Sequence, residues 1–332
     1  MTASDYQRIR LWSGITSIGM NLAAVTAVGL SSLWWGNAAT GWGETVAVFL
    51  LIALALGAMN LPLDLLAGHA VERGCGRTGV PLRVWLRDWG AGRLWASAGL
   101  FFGMLFFWAA RETGADMIFL LVAAAVSAGA VFFLPGGNPA PEGGVLADFE
   151  SRVAGELKAL GIGPVRLLWT DLADAESVSG YFRPAGRREF VLSESAAAHL
   201  TAREVALMIA REMWLKESGR TTAGAVIAWL WLVAGLGLAV ILPTPSAVAG
   251  ALCGIAVFTF WCFLALFVWP PLNRRWALEA DRHLGDRIRP EEARALLEKI
   301  QRLNATDTDL PPAKKTVFHP LPPLRDRLEI LS

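Results

Sequence analysis

Six stretches of this chain are long and apolar enough to cross a bilayer, and they limit its possible folds more than any other feature. A hydrocarbon core of ~30 Å takes about 20 apolar residues in a helix, and lipid offers backbone polar groups no partners. The stretches lie at roughly 13–35, 45–66, 93–110, 116–134, 221–242 and 247–269. Only Arg111, Glu112, Thr113 and Gly114 separate the third from the fourth, and Pro243, Thr244 and Pro245 the fifth from the sixth. Each of these pairs therefore reads as a helical hairpin. The rest of the composition agrees, with 54% hydrophobic and 18% charged residues among 332 and a mean hydropathy of +0.44.

A formal net charge of +1 provides no basic field for a nucleic-acid partner, so the expected surroundings are the lipid bilayer and other proteins. Cys75, Cys253 and Cys262 show no metal-ligand spacing and read as structural thiols. The first apolar stretch is too long for a cleavable leader. Arginines cluster before the first span (Arg8, Arg10) and between the second and third (Arg73, Arg77, Arg83, Arg87, Arg93). By the positive-inside rule, both termini and the polar regions are expected in the cytoplasm.

The Pro/Gly run at 135–144 reads as a linker between the first four spans and a polar region at 145–220. That region predicts a helix near 145–160, strands at 165–169 and about 178–183, a turn, a third strand ending at Ser193, and a helix at 201–217, together making a small antiparallel sheet with helices. The 201–217 helix is the most informative. Thr201 and Glu204 form a capping box, and Val205, Leu207, Met208, Ile209, Met213 and Leu215 recur at helical spacing, as expected of a half-buried helix. Its segment IAREMWL has the spacing of HExxH, in which two imidazoles one turn apart hold zinc and the Glu between them activates a metal-bound water. Here the three positions are Arg211, Glu212 and Leu215. After the last hairpin, a further helix (NRRWALEADRHLGDRI), a charged helix at about 290–303 and a Pro-rich tail are expected.

Four separated blocks carry a family resemblance: LPLDLLAGHAVERGCGRTGVPLRVWLRDW (61–89), SVSGYFRPAGRREFVLSES (177–195), NRRWALEADRHL from 273, and VFHPLPPLRDRL near the end, with two spans directly after the 201–217 helix. In this order they resemble the integral-membrane zinc metallopeptidases that include the type 1 CAAX prenyl endopeptidase and the bacterial heat-shock membrane peptidase. The resemblance implies a mainly α membrane protein of about six transmembrane helices with a cytosolic zincin-like α+β domain, set in a bacterial cytoplasmic membrane. It puts Glu212 at the general-base position, Asp281 in an ExxAD-like block as orienter of the first ligand, and His319 as a substrate contact. It also makes Gly180, Tyr181 and Phe182 an edge strand that holds substrate backbone.

The same resemblance places the third zinc ligand four residues before Asp281, which is Ala277. Glu279 is two residues further on, ~200° around the helix. Zinc binds imidazole, thiolate or carboxylate, and a guanidinium has no lone pair to offer, so no zinc or other cofactor is expected at Arg211, Leu215 and Ala277. Arg211 is expected to pair with Asp281 instead, and Trp214 and Leu215 to fill the space left over. The reading is therefore an inactive homologue that binds a protein or peptide partner in the former substrate groove or regulates an active relative. Two alternatives stay open: a zinc endopeptidase with displaced ligands Glu279, His283 and His319, and a structural subunit of a membrane assembly. Glu212 could also be a paired surface charge, His319 a turn residue, and the edge strand could be covered by the tail.

Overall fold

The computed structural model describes residues 3–36, 41–76, 79–133, 139, 145–170, 177–185, 188–304 and 321–331. The linker at 135–144, apart from residue 139, and the Pro-rich tail at 305–320 with His319 lie outside the described residues. The chain divides into two compact units, one of Arg8–Ser127 and Trp229–Ala265, the other of Thr2–Gln7, Ala128–Ala228 and Leu266–Ser332.

The first unit is built from long apolar helices: α1 (Ala3–Trp35), α2 (Trp42–Gly74), α3 (Leu82–Thr113), and parts of α4 (Asp116–Phe133), α8 (Arg220–Ile241) and α9 (Ala247–Arg287). Five helices, α1, α2, α3, α8 and α9, are long and apolar enough to cross a membrane, and α4 is apolar but shorter. The cytosolic loop expected at 67–92 instead begins as a continuation of α2 to Gly74, with a π-helical segment at Leu66–Ala70. Phe49, Ala53, Met104, Phe107, Trp108 and Leu252 form the core of this unit. Arg111 seals one end of α8 by donating to the carbonyls of Leu242 at 3.0 Å and of Val240. The last carbonyls of a helix lack intrahelical donors, so a buried guanidinium is a fitting cap.

The second unit contains α5 (Val145–Ala159), β1 (Arg166–Thr170), β2 (Gly180–Phe182), β3 (Glu189–Ser193), α6 (Glu194–His199), α7 (Ala202–Glu217), α10 (Pro290–Leu303) and α11 (Leu324–Ile330). The sheet order is β1-β3-β2. It is mixed rather than antiparallel as expected, since β1 runs parallel to β3 (Arg166↔Glu189 to Thr170↔Ser193) and β2 runs antiparallel to it. β3 lies between the other two strands, and β2 forms one edge of the sheet. Phe190, Val191, Leu192 and Ser193 are accordingly completely buried.

The capping box of α7 is present: Thr201 N donates to Glu204 Oε2 at 2.7 Å, and Glu204 N donates to Thr201 Oγ1 at 3.2 Å. The helix is buried on more than the one face expected. Val205, Met208, Ile209 and Met213 pack against α5 and the sheet, whereas Leu207 packs with Leu284, Leu296, Leu297, Leu324 and Leu331. A second departure concerns α9. The last span, at 247–269, and the helix that opens at Asn273 are expected from sequence as separate elements, but one helix of 41 residues runs through both, Pro270 and Pro271 included. Each proline removes a single backbone donor, and the division between the two units falls one turn earlier, at Ala265/Leu266.

Gly180 is required by a close approach. A Cβ there would lie 2.4 Å from the Met208 methyl and 2.5 Å from the Phe190 ring. Gly180→Ala should therefore cost about 1–3 kcal/mol through overpacking, read as a lower thermal unfolding midpoint in detergent. Gly155→Ala, on α5 with nothing within 4 Å of the added methyl, should leave the midpoint unchanged or raise it. Equal effects would contradict this packing.

Candidate functional site

The C-terminal half of α7, the Ala277–Asp281 turn of α9 and the helix α11 converge on one buried carboxylate. Asp281 is completely buried. Arg211 Nε donates to its Oδ1 at 2.6 Å, the pairing expected from sequence, and Arg327 donates through Nε to Oδ2 at 2.7 Å and through Nη2 to Oδ1 at 2.9 Å. Arg211 also donates through Nη1 to Glu212 and through Nη2 to the Ala277 carbonyl at 3.3 Å. Two guanidiniums and two carboxylates thus form a group of net charge zero, with Arg211 and Arg327 both below a tenth exposed. A buried charge is costly unless it is paired and hydrogen-bonded, and each of these has a charged partner.

The electrostatics follow from burial. Desolvation pulls the Arg211 pKa down, but the carboxylates of Asp281 and Glu212 outweigh it and hold the guanidinium charged. For Glu212, burial pushes the carboxyl pKa up and the neighbouring Arg211 only partly offsets this, leaving it above the ordinary glutamate value.

Arg211, Glu212, Leu215 and Ala277 border one cavity of about 500 Å³, together with Trp276 and Leu321. The sequence-predicted positions are thus brought together. Leu215 lines this cavity without closing it. Trp214, expected to help fill the space, lies elsewhere: its ring stacks on His283 with centroids 5.4 Å apart, and the Arg220 guanidinium sits 5.0 Å from its centroid. Glu279 pairs with Arg220 and, at 3.1 Å, with Arg275. Leu321, two residues beyond His319 in sequence, also borders this cavity.

These residues do not fit a zinc ion. The three positions assigned to ligands offer a protonated guanidinium and two hydrocarbon side chains, and the nearby carboxylates of Glu212 and Asp281 are both engaged by arginines. Among the described residues, no three His, Cys, Asp or Glu side chains gather to hold a metal.

The outer backbone groups of the edge strand are only partly engaged by the described chain. Ser193 N donates to Ser179 O, and Arg183 N to Glu189 O, so residues 179, 181 and 183 face β3 and 178, 180 and 182 face outward. Asn304 takes both outer groups of Val178, accepting from its N–H at 2.7 Å and donating to its carbonyl at 2.9 Å. Among the described residues, no partner is recorded for the outer groups of Gly180 and Phe182. Phe182 is buried against Phe190, whereas Tyr181 is 47% exposed. Pro184, just beyond β2, borders the cavity.

No family model matches the sequence, and no curated protein matches it. Among solved structures, the crystal structure of S. mikatae Ste24p aligns with a TM-score of 0.73 and 14% sequence identity, covering 99% of this chain and 87% of that one. The chain has the Ste24p fold. Ste24p is a CAAX prenyl protease and zinc metallopeptidase. At 14% identity the likeness concerns architecture, that of a helical membrane protein, in accord with the apolar helices described above. Sequence reasoning missed Arg327 as a partner of Asp281. Its signal lies in LRDRL, the end of the last block that carries the resemblance. The tie between Glu279 and Arg220 had no sequence signal, because the two residues are far apart in the chain.

The charge group makes an ordered prediction. Asp281→Ala leaves Arg327 buried without a carboxylate and should cost about 3–5 kcal/mol. Arg211→Met leaves Asp281 with its two-bond contact to Arg327 and should cost less. Thermal unfolding in detergent checks the order, and a reversed order would contradict it.

Proposed function

We propose that this integral membrane protein has given up zinc-dependent hydrolysis while keeping the peptidase architecture as a binding device for a protein or peptide partner. The observation that carries this reading is Arg211. Its guanidinium stands at the position the resemblance gives to the first histidine, and it bonds at once to Asp281, Glu212 and the carbonyl of Ala277. A fixed cation there supplies positive charge between the carboxylates without offering a coordination site. Glu212, at the general-base position, is spent as a partner of that cation.

Binding is supported by the edge strand. The outer backbone groups of Gly180, the exposed tyrosine beside it and a cavity beginning at Pro184 suit an extended peptide added to the sheet, a mode that needs main-chain hydrogen bonds and no metal. An active enzyme with displaced ligands finds less support: Glu279 is committed to Arg220 and Arg275, and His283 stacks on Trp214.

A photoreactive amino acid at Tyr181, expressed in native membranes, tests the binding half. A discrete protein adduct is expected from that position and none from Arg325, an exposed residue paired only with Glu329 along α11. No adduct at Tyr181, or equal adducts at both positions, would contradict the reading. For the chemical half, any endopeptidase activity of the purified protein should be background, unchanged by chelator and by Glu212→Gln.

A further inference from the structure

A second cavity of about 210 Å³ lies on the other side of α7, where Gly163, Arg188, Trp214, Glu217, His283 and Arg287 form much of its wall. Its basic groups are short of partners. Arg287 makes no ion pair, and neither ring nitrogen of His283 makes a hydrogen bond, among the described residues. Arg188 reaches its one carboxylate, Glu217, at 3.6 Å, too long for a hydrogen bond of normal strength. Glu217 is also the one carboxylate in the cavity wall among the described residues.

The backbone takes on strain to present Arg188. Its φ of 50° lies in the left-handed region, which costs a non-glycine residue roughly 1–2 kcal/mol. Its guanidinium also lies against Gly163, where a Cβ would come within 2.4 Å of Nη1. A glycine at 163 therefore leaves the place that this arginine fills. At ~30 Å³ per water, the cavity has room for about seven, enough for a phosphate group and a few further atoms but not for a nucleotide.

We propose that this cavity binds a phosphate monoester, with the forks of Arg188 and Arg287 on the phosphate oxygens and a His283 ring nitrogen as a third donor. Arginine matches phosphate through two parallel N–H···O bonds, and charge-assisted bonds of this kind are the strong ones. The same chemistry is offered by a soluble phosphate ester and by the headgroup of phosphatidic acid.

Calorimetric titration of the full-length chain in detergent tests the site and separates the two sources. The probes are glycerol 3-phosphate, dihexanoyl phosphatidic acid and, as a diester control, dihexanoyl phosphatidylcholine. Arg188→Gln and Arg287→Gln should each weaken binding of the monoester about tenfold or more, the equivalent of one good charged hydrogen bond. Arg325→Gln should leave it unchanged, and Arg188→Lys, which keeps charge but loses the fork, should fall between. Both arginines are exposed, so an unchanged thermal midpoint is expected for each variant. Loss with glycerol 3-phosphate supports a soluble ligand, and loss with phosphatidic acid alone supports a lipid headgroup. Absence of monoester binding, binding equal to that of the diester, or binding indifferent to both Gln variants would overturn the proposal.

Discussion

A single carboxylate with no exposed surface holds together three helices of the second unit. Asp281 sits on α9, accepts from Arg211 of α7 and from Arg327 of α11, and so ties three helices that are far apart in sequence. In a low-dielectric interior, a carboxylate and guanidiniums are tolerable only together, because each would face a large desolvation cost alone. The geometry of the site follows from that constraint. Arg211 cannot swing into the neighbouring cavity without giving up its bonds to Asp281 and the Ala277 carbonyl, and Glu212 completes the balance by pairing with the other side of the same guanidinium.

Apolar side chains pack on both flanks of the helix that carries Arg211. Leu207, Leu284, Leu296, Leu297, Leu324 and Leu331 close over α7 from the side of α9, α10 and α11, and Phe149, Val153, Phe190 and Ile209 close it from the side of the sheet. A helix in such a position is fixed on both flanks, and the cavity beside Arg211, Glu212, Leu215 and Ala277 is therefore a built feature of the fold.

Much of this was legible in the chain before any coordinates. The apolar stretches and the α7 capping box follow from composition and helical periodicity, whereas the step from Ala277 to Asp281 and the Arg211–Asp281 pair come from the resemblance, which sets Asp281 beside the position that Arg211 occupies. What could not be read was long-range. The parallel pairing of β1 with β3 depends on where the intervening segment carries the chain, which local propensity does not encode. The continuity of α9 through Pro270 and Pro271 depends on packing that overrides a local breaker. Trp214 was misplaced because its neighbour Leu215 does line the cavity, and a step of one residue turns a side chain ~100° around the helix. Arg327 and the cavity at Arg188 and Arg287 required distant segments to be brought together.

On the proposed reading, the fold keeps the geometry of a metal site while Arg211, Leu215 and Ala277 withhold the donors. Metal analysis of the purified protein beside the triple variant Arg211→His, Leu215→His, Ala277→Glu tests it most directly. The account predicts less than a tenth of an equivalent of zinc in the natural protein and close to one equivalent in the variant, in line with a site of two imidazoles and a carboxylate. Stoichiometric zinc in the natural protein, or none in the variant while it remains folded, would contradict it.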